Sequence, residues 1–135
     1  MPPDVAEWIG KAEADWATAQ REFRVRRRAN FDAVCFHAQQ CVEKYLKARL
    51  ILAAINFPKT HDLVAPLALV QKVEPLWLPW KDHLARLTHY AVTVRYPGES
   101  AERADAAEAL KIARLLRAEI RWRFGLTIRP TKPGK

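Results

Sequence analysis

Apolar residues recur along this chain at steps of three and four almost throughout, the spacing of a helix face rather than the alternation of a strand. Val5, Trp8, Ile9, Ala12, Trp16, Ala19 and Phe23 follow that rule. A first helix is therefore expected from Asp4, with Glu7 three residues later at the spacing of a capping box. It should end within Arg26–Asn30, where Asn30 can cap the next element. A second helix then runs from Phe31 to Ile55, a stretch without glycine or proline. Asn56, Phe57, Pro58 and Lys59 break it, and Thr60 can cap a short third helix through Lys72, with Pro66 expected to kink or shorten it. A fourth helix from Pro79 to Arg95 is stopped by Tyr96, Pro97 and Gly98. The fifth begins near Ser100 and continues to Phe124, with Gly125 at the C′ position. No repeat, strand pair or domain-sized linker interrupts the pattern. It predicts an all-α, up-and-down helical bundle of four main helices plus one short helix over residues 1–126. A flexible basic tail, TIRPTKPGK, is expected at 127–135.

Composition changes this picture little, and charge changes it more. With 135 residues, half of them apolar, the chain suits one domain with its own core. Disordered, collagenous and disulfide-scaffold classes are excluded on composition. No apolar run approaches the ~18 residues of a membrane span, and the opening Met-Pro-Pro-Asp does not read as a signal peptide, so a cytoplasmic location is expected. Cys35 and Cys41 read as small buried hydrophobes of a reducing compartment. The formal net charge is +8, but it is unevenly placed. Residues 1–20 carry net −3, residues 21–28 net +4 from five arginines against Glu22, and residues 29–109 cancel. Residues 110–135 carry net +7. The excess thus sits in one short arginine cluster and at the C-terminal end.

The second helix carries the candidate chemistry. Val34, Ala38, Cys41, Val42, Tyr45, Ala48 and Leu52 form a broad apolar face, and His37, Gln40, Lys44 and Lys47 line the polar side next to it within an arc of roughly 80°. Glu43 and Gln39 lie further round. Such a stripe offers donors and cations at fixed spacing to a phosphate or a base edge. Equally, it is what a solvated helix face looks like, with Glu43 pairing to Lys47 at i,i+4. Phe36, Leu46 and Leu50 fall outside the apolar face and suggest a second packed surface such as a dimer contact.

The run from Cys35 to Ala48, CFHAQQCVEKYLKA, resembles the second-helix signature of the HEPN (higher eukaryotes and prokaryotes nucleotide-binding) domain family. Phe57-Pro58-Lys59-Thr60-His61-Asp62-Leu63 and Arg95-Tyr96-Pro97-Gly98 fit the same pattern in the same order, so the resemblance covers about residues 5–124. It implies a helical bundle, usually a homodimer, often paired with a minimal nucleotidyltransferase partner protein in toxin–antitoxin systems. Carried onto this chain, it implies a nucleotide-binding site of His37, Gln40, Lys44 and Lys47 with His61, Asp62, Arg95 and Tyr96 nearby. Lys and Arg would hold phosphates, while His37, Gln40 and Tyr96 would orient a base or ribose. No cofactor and no metal are implied.

Ribonuclease members of the wider family carry an Arg followed after four to six residues by a His, and no His here has that neighbour. The nearest imitation is Arg86 and His89, with Asp82 a turn before. An Arg to neutralise developing charge and a His as acid or base are what metal-independent RNA cleavage requires. His37 and Cys41 could face one metal, but no second ligand pair has zinc-like spacing. No Walker loop or G-x-G-x-x-G is present. On the fifth helix, Arg103, Arg114, Arg117 and Arg121 fall within roughly 60°. That row could grip RNA or an acidic partner, or could complement the helix dipole. Of the tryptophans, Trp77 and Trp80 are expected to be partly exposed. The leading expectation is a HEPN protein that binds a nucleotide or RNA beside its nucleotidyltransferase partner. The alternatives are an RNA-cleaving toxin with a degenerate Arg/His site and a pure protein-interaction module.

Overall fold

The computed structural model describes residues 1–57, 59, 63–93 and 97–127. His61, Asp62, Arg95 and Tyr96 lie outside the described residues, as does most of the basic tail. Five α-helices follow in order: α1 (Pro3–Arg24), α2 (Phe31–Leu52), α3 (Val64–Val70), α4 (Lys81–Thr93) and α5 (Arg103–Arg123). A 3₁₀ turn, Pro75–Trp80, precedes α4. The architecture is an all-α up-and-down bundle, with no strand among the described residues.

Local chemistry explains most boundaries. Asn30 caps α2, its side-chain oxygen accepting from the Ala33 amide at 3.0 Å, a contact worth about 1 kcal/mol. Gly125 ends α5 in the left-handed region at φ 72°. There the Leu126 amide reaches back to the Arg121 carbonyl at 3.0 Å and the Gly125 amide to Trp122 at 2.9 Å, a Schellman ending. The same motif closes α2 earlier than Ile55. Ala54 takes φ 58°, and the Ile55 and Ala54 amides bond to the carbonyls of Leu50 and Ile51.

Other boundaries depart from the sequence reading. The Asp4–Glu7 capping box does not form; α1 starts at Pro3, and the Asp4 carboxylate accepts only from the adjacent Val5 amide at 2.9 Å. Prolines at the first turn lack a donor that the helix would leave unsatisfied, so they begin it without a side-chain cap. Pro66 is tolerated for the same reason, being in the first turn of α3, where it is buried. Trp77 is buried instead of partly exposed, and it stacks on Trp80 with ring centroids 5.4 Å apart.

Helix α2 runs through the middle, packed chiefly on α1, then on α5, α4 and α3. A helix surrounded in this way is buried on nearly every side, which corrects the reading of its faces. Leu46 and Leu50 are fully buried within this chain, so they are not free for a dimer contact. Gln39 and Glu43 are buried too. Ala109, Ala113, Leu116 and Ile120 of α5 close the core from the other side, as their spacing predicts.

Candidate functional site

Because α2 is central, its polar residues meet carboxylates on neighbouring helices rather than bulk water. Asp15 of α1 is the first of these acids. It lies on the stripe shared by Trp8, Ala12 and Ala19, so helical geometry points it at α2. There His37 Nδ1 lies 2.7 Å from Asp15 Oδ1, and Lys44 Nζ donates to Asp15 Oδ2. Gln40 lies on the turn between them, but its amide turns inward. Gln40 Nε2 donates to Gln39 Oε1 at 2.9 Å, and Gln39 Nε2 to Glu43 Oε1 at 3.2 Å. Lys47 Nζ closes this chain on Glu43 Oε2 at 3.0 Å. The helical i,i+4 pair is therefore present, though on a carboxylate only 4% exposed rather than on a wet face.

At its C-terminal end the stripe reaches an aromatic corner. Lys47 Nζ sits 5.5 Å from the ring centroids of both Trp8 and Phe57, within cation–π range. The two rings meet edge to face at 6.4 Å. Beside them Glu7, Trp8 and Lys11 line a pocket of about 270 Å³. A second hollow, of about 550 Å³, runs from Ile51 to Phe57. Two of the three motif segments thus meet here, the second helix through Lys47 and the Phe57 segment through its first residue.

The α5 arginines divide. Arg117 forms a bidentate pair with Glu13 of α1, with Nε at 2.7 Å and Nη2 at 2.6 Å. Tyr45 of α2 donates its hydroxyl to the same carboxylate and accepts from Arg121 Nη1 at 3.1 Å. Burial alone would raise the Glu13 carboxyl, but the hydrogen bonds from Arg117 and Tyr45 hold it below the ordinary value of 4.5. The Glu13 bond in turn raises Arg117, and burial pushes the Tyr45 phenol well up. Arg114 and Arg117 flank the Trp16 ring at 5.7 and 5.3 Å. Arg103 is apart from these, over Phe23 at 4.9 Å and Phe31 at 5.8 Å. A third acid, Glu74, lies in the α3–α4 connection and accepts from Arg49 Nε at 2.8 Å, with Arg123 Nε at 3.3 Å.

Arg86 and His89 are exposed on α4, and the acid beside Arg86 is Glu108 of α5 at 3.6 Å rather than Asp82. Burial pushes the Cys35 thiol up to about 12 and raises Cys41 as well, so neither is a thiolate at neutral pH. Among the described residues, no three His, Cys, Asp or Glu gather as a metal site. No helix there is long and apolar enough to cross a membrane.

The HEPN domain family matches residues 5–121. This chain belongs to the HEPN domain family. The bundle is similar to the crystal structure of TT1696 from Thermus thermophilus, at TM-score 0.73 and 20% identity, covering 87% of this chain and 96% of that one. No curated protein matches the sequence. A HEPN fold is consistent with a nucleotide- or RNA-associated function, and the residues that sequence reasoning missed are the ones that organise this fold's polar interior. By sequence alone, Asp15, Glu13 and Glu74 are ordinary helix or loop acids. Only Asp15 carried a signal, a charge in register with a buried apolar stripe.

Proposed function

We propose that this HEPN protein binds a nucleotide or RNA and works with a minimal nucleotidyltransferase partner in a toxin–antitoxin-type pair, as a cytoplasmic homodimer. The observation that supports the binding reading is the corner where Lys47, Trp8 and Phe57 converge beside an open pocket with Lys11. A nucleotide asks for a ring to stack on and a cation for its phosphate; here Trp8 is the ring and the exposed Lys11 the cation, Lys47 being held on Glu43. A pocket of about 270 Å³ suits one base or mononucleotide rather than a longer ligand. The N-terminal half of the stripe, His37 and Lys44, is committed to Asp15. We assign the ligand instead to the pocket of Trp8 and Lys11, at the other end of the stripe. No catalytic step is assigned to Arg86 and His89, whose spacing departs from that of the family's ribonucleases.

Calorimetric titration with adenosine monophosphate tests this reading. Wild-type protein should bind, and Trp8→Ala should weaken binding roughly tenfold, the scale of one lost base–aromatic stack. Equal binding by a folded Trp8→Ala variant, or none by the wild type, would overturn it. Incubation with transfer RNA checks the catalytic point, with intact RNA as the expected result.

A further inference from the structure

Most cations of the helical core are matched by an acid planted on another element, and the arginine cluster that follows α1 is not. Helix α1 ends at Arg24, and Val25 takes an extended backbone. Arg26, Arg27 and Arg28 therefore lie beyond the helix, past the last turn in which cations complement a helix dipole. All three are exposed, as is Arg24, and none makes an ion pair with a described residue. The acids nearest in the chain are engaged by backbone amides instead. Glu22 Oε2 accepts the Asn30 amide at 2.8 Å, and Asp32 Oδ1 accepts the Ala101 amide at 2.6 Å. Arg28 also holds φ 55°, a left-handed backbone that glycine or asparagine adopts at less cost. A bulky cation therefore stands at a backbone position that favours glycine.

Beside this turn, Arg28, Asn30, Phe31, Asp32 and Ser100 line an open groove of about 460 Å³. Its Phe31 ring is part-buried, with Arg103 over it. We infer that the α1–α2 turn is a second binding site, one that grips the phosphate backbone of a single RNA strand through Arg26, Arg27 and Arg28. Guanidinium groups suit phosphate oxygens in forked geometry, and three unpaired guanidiniums at a groove with an aromatic wall match how sequence-tolerant single-strand binding is built, although Asp32 also lines that groove. The turn is separate from the nucleotide corner. Trp8 and Arg24 are about 24 Å apart along the α1 axis at 1.5 Å per residue. The inference rests on the RNA-associated reading of the chain but not on the Lys47 corner.

The test uses a fluorescein-labelled ten-nucleotide RNA with the full chain, read by anisotropy across a salt series. Arg26→Ala/Arg27→Ala/Arg28→Ala should weaken RNA binding at least tenfold at low salt. It should also flatten the log–log salt slope by about 2, as expected when three phosphate contacts are lost. Adenosine monophosphate binding should not change in that variant, so failure at the corner and failure at the turn are told apart. Arg28→Gly alone should weaken RNA binding while holding or raising the melting temperature, because glycine accepts the left-handed backbone. Wild-type RNA affinity and salt slope in the triple variant would overturn the inference. So would a wild-type protein that binds phosphatidylserine vesicles through this turn and binds no RNA.

Discussion

Lys44, Arg49 and Arg117 each meet a carboxylate from another part of the chain, whereas Arg26, Arg27 and Arg28 meet none among the described residues. The side chains differ little in chemistry, so their surroundings make the difference. In the core, Asp15, Glu13 and Glu74 stand on α1 and the α3–α4 connection, each aimed at cations of α2 or α5. There a positive charge fixes how helices sit on one another. At the turn the nearby acids serve backbone amides, and the charges are left facing solvent. Net charge alone could not separate these roles; the position of the acids does.

Asp15→Ala should have the largest effect. It removes the acid shared by His37 and Lys44 and leaves a largely buried ammonium unpaired, with an expected loss of about 3 kcal/mol in urea unfolding. Glu13→Gln comes next, at about 2 kcal/mol, because the bidentate Arg117 contact loses its charge. That variant also changes the response to acid. The folded Glu13 carboxyl lies below its ordinary value of 4.5, so the unfolded chain binds its proton first as pH falls. Its stabilisation is then complete above the ordinary value and is lost as pH drops through the lower folded one. The acid limb of the wild-type stability curve should accordingly be steeper than that of Glu13→Gln. The smallest effect belongs to the turn: replacing Arg26, Arg27 and Arg28 with alanine should move unfolding free energy by no more than about 0.5 kcal/mol. A loss comparable with that of Asp15→Ala would erase the distinction.

Much of the fold was legible because its signals are local. Apolar residues three and four apart place the helices, Asn30 and Gly125 mark two of their ends, and the motif run on the second helix points to the family. What was not legible depends on neighbours distant in sequence. Leu46 and Leu50 read as an extra surface because no local pattern says that α2 is surrounded. The 3₁₀ turn at Pro75–Trp80 was hidden, since its two prolines and two tryptophans mask any helical period. For the candidate site, Lys47 and Phe57 were each readable in their motifs, but their meeting with Trp8 required α1 to lie along α2. The His37–Gln40–Lys44 stripe looked like open chemistry, and the acid that holds two of its members sits more than twenty residues away in the chain.

The most direct measurement is anisotropy of the labelled RNA strand at one low salt concentration, made on wild type, Lys44→Ala and the turn triple variant in parallel. The temperature is set so that circular dichroism shows all three folded. A core cation answered by an acid should matter little for the ligand, so Lys44→Ala should bind RNA within about twofold of wild type, inside the ±0.5 kcal/mol of a neutral substitution. The triple variant should fall by about tenfold or more, the scale set by three lost phosphate contacts. The reverse order, with Lys44→Ala losing the RNA and the turn variant keeping it, would contradict the account.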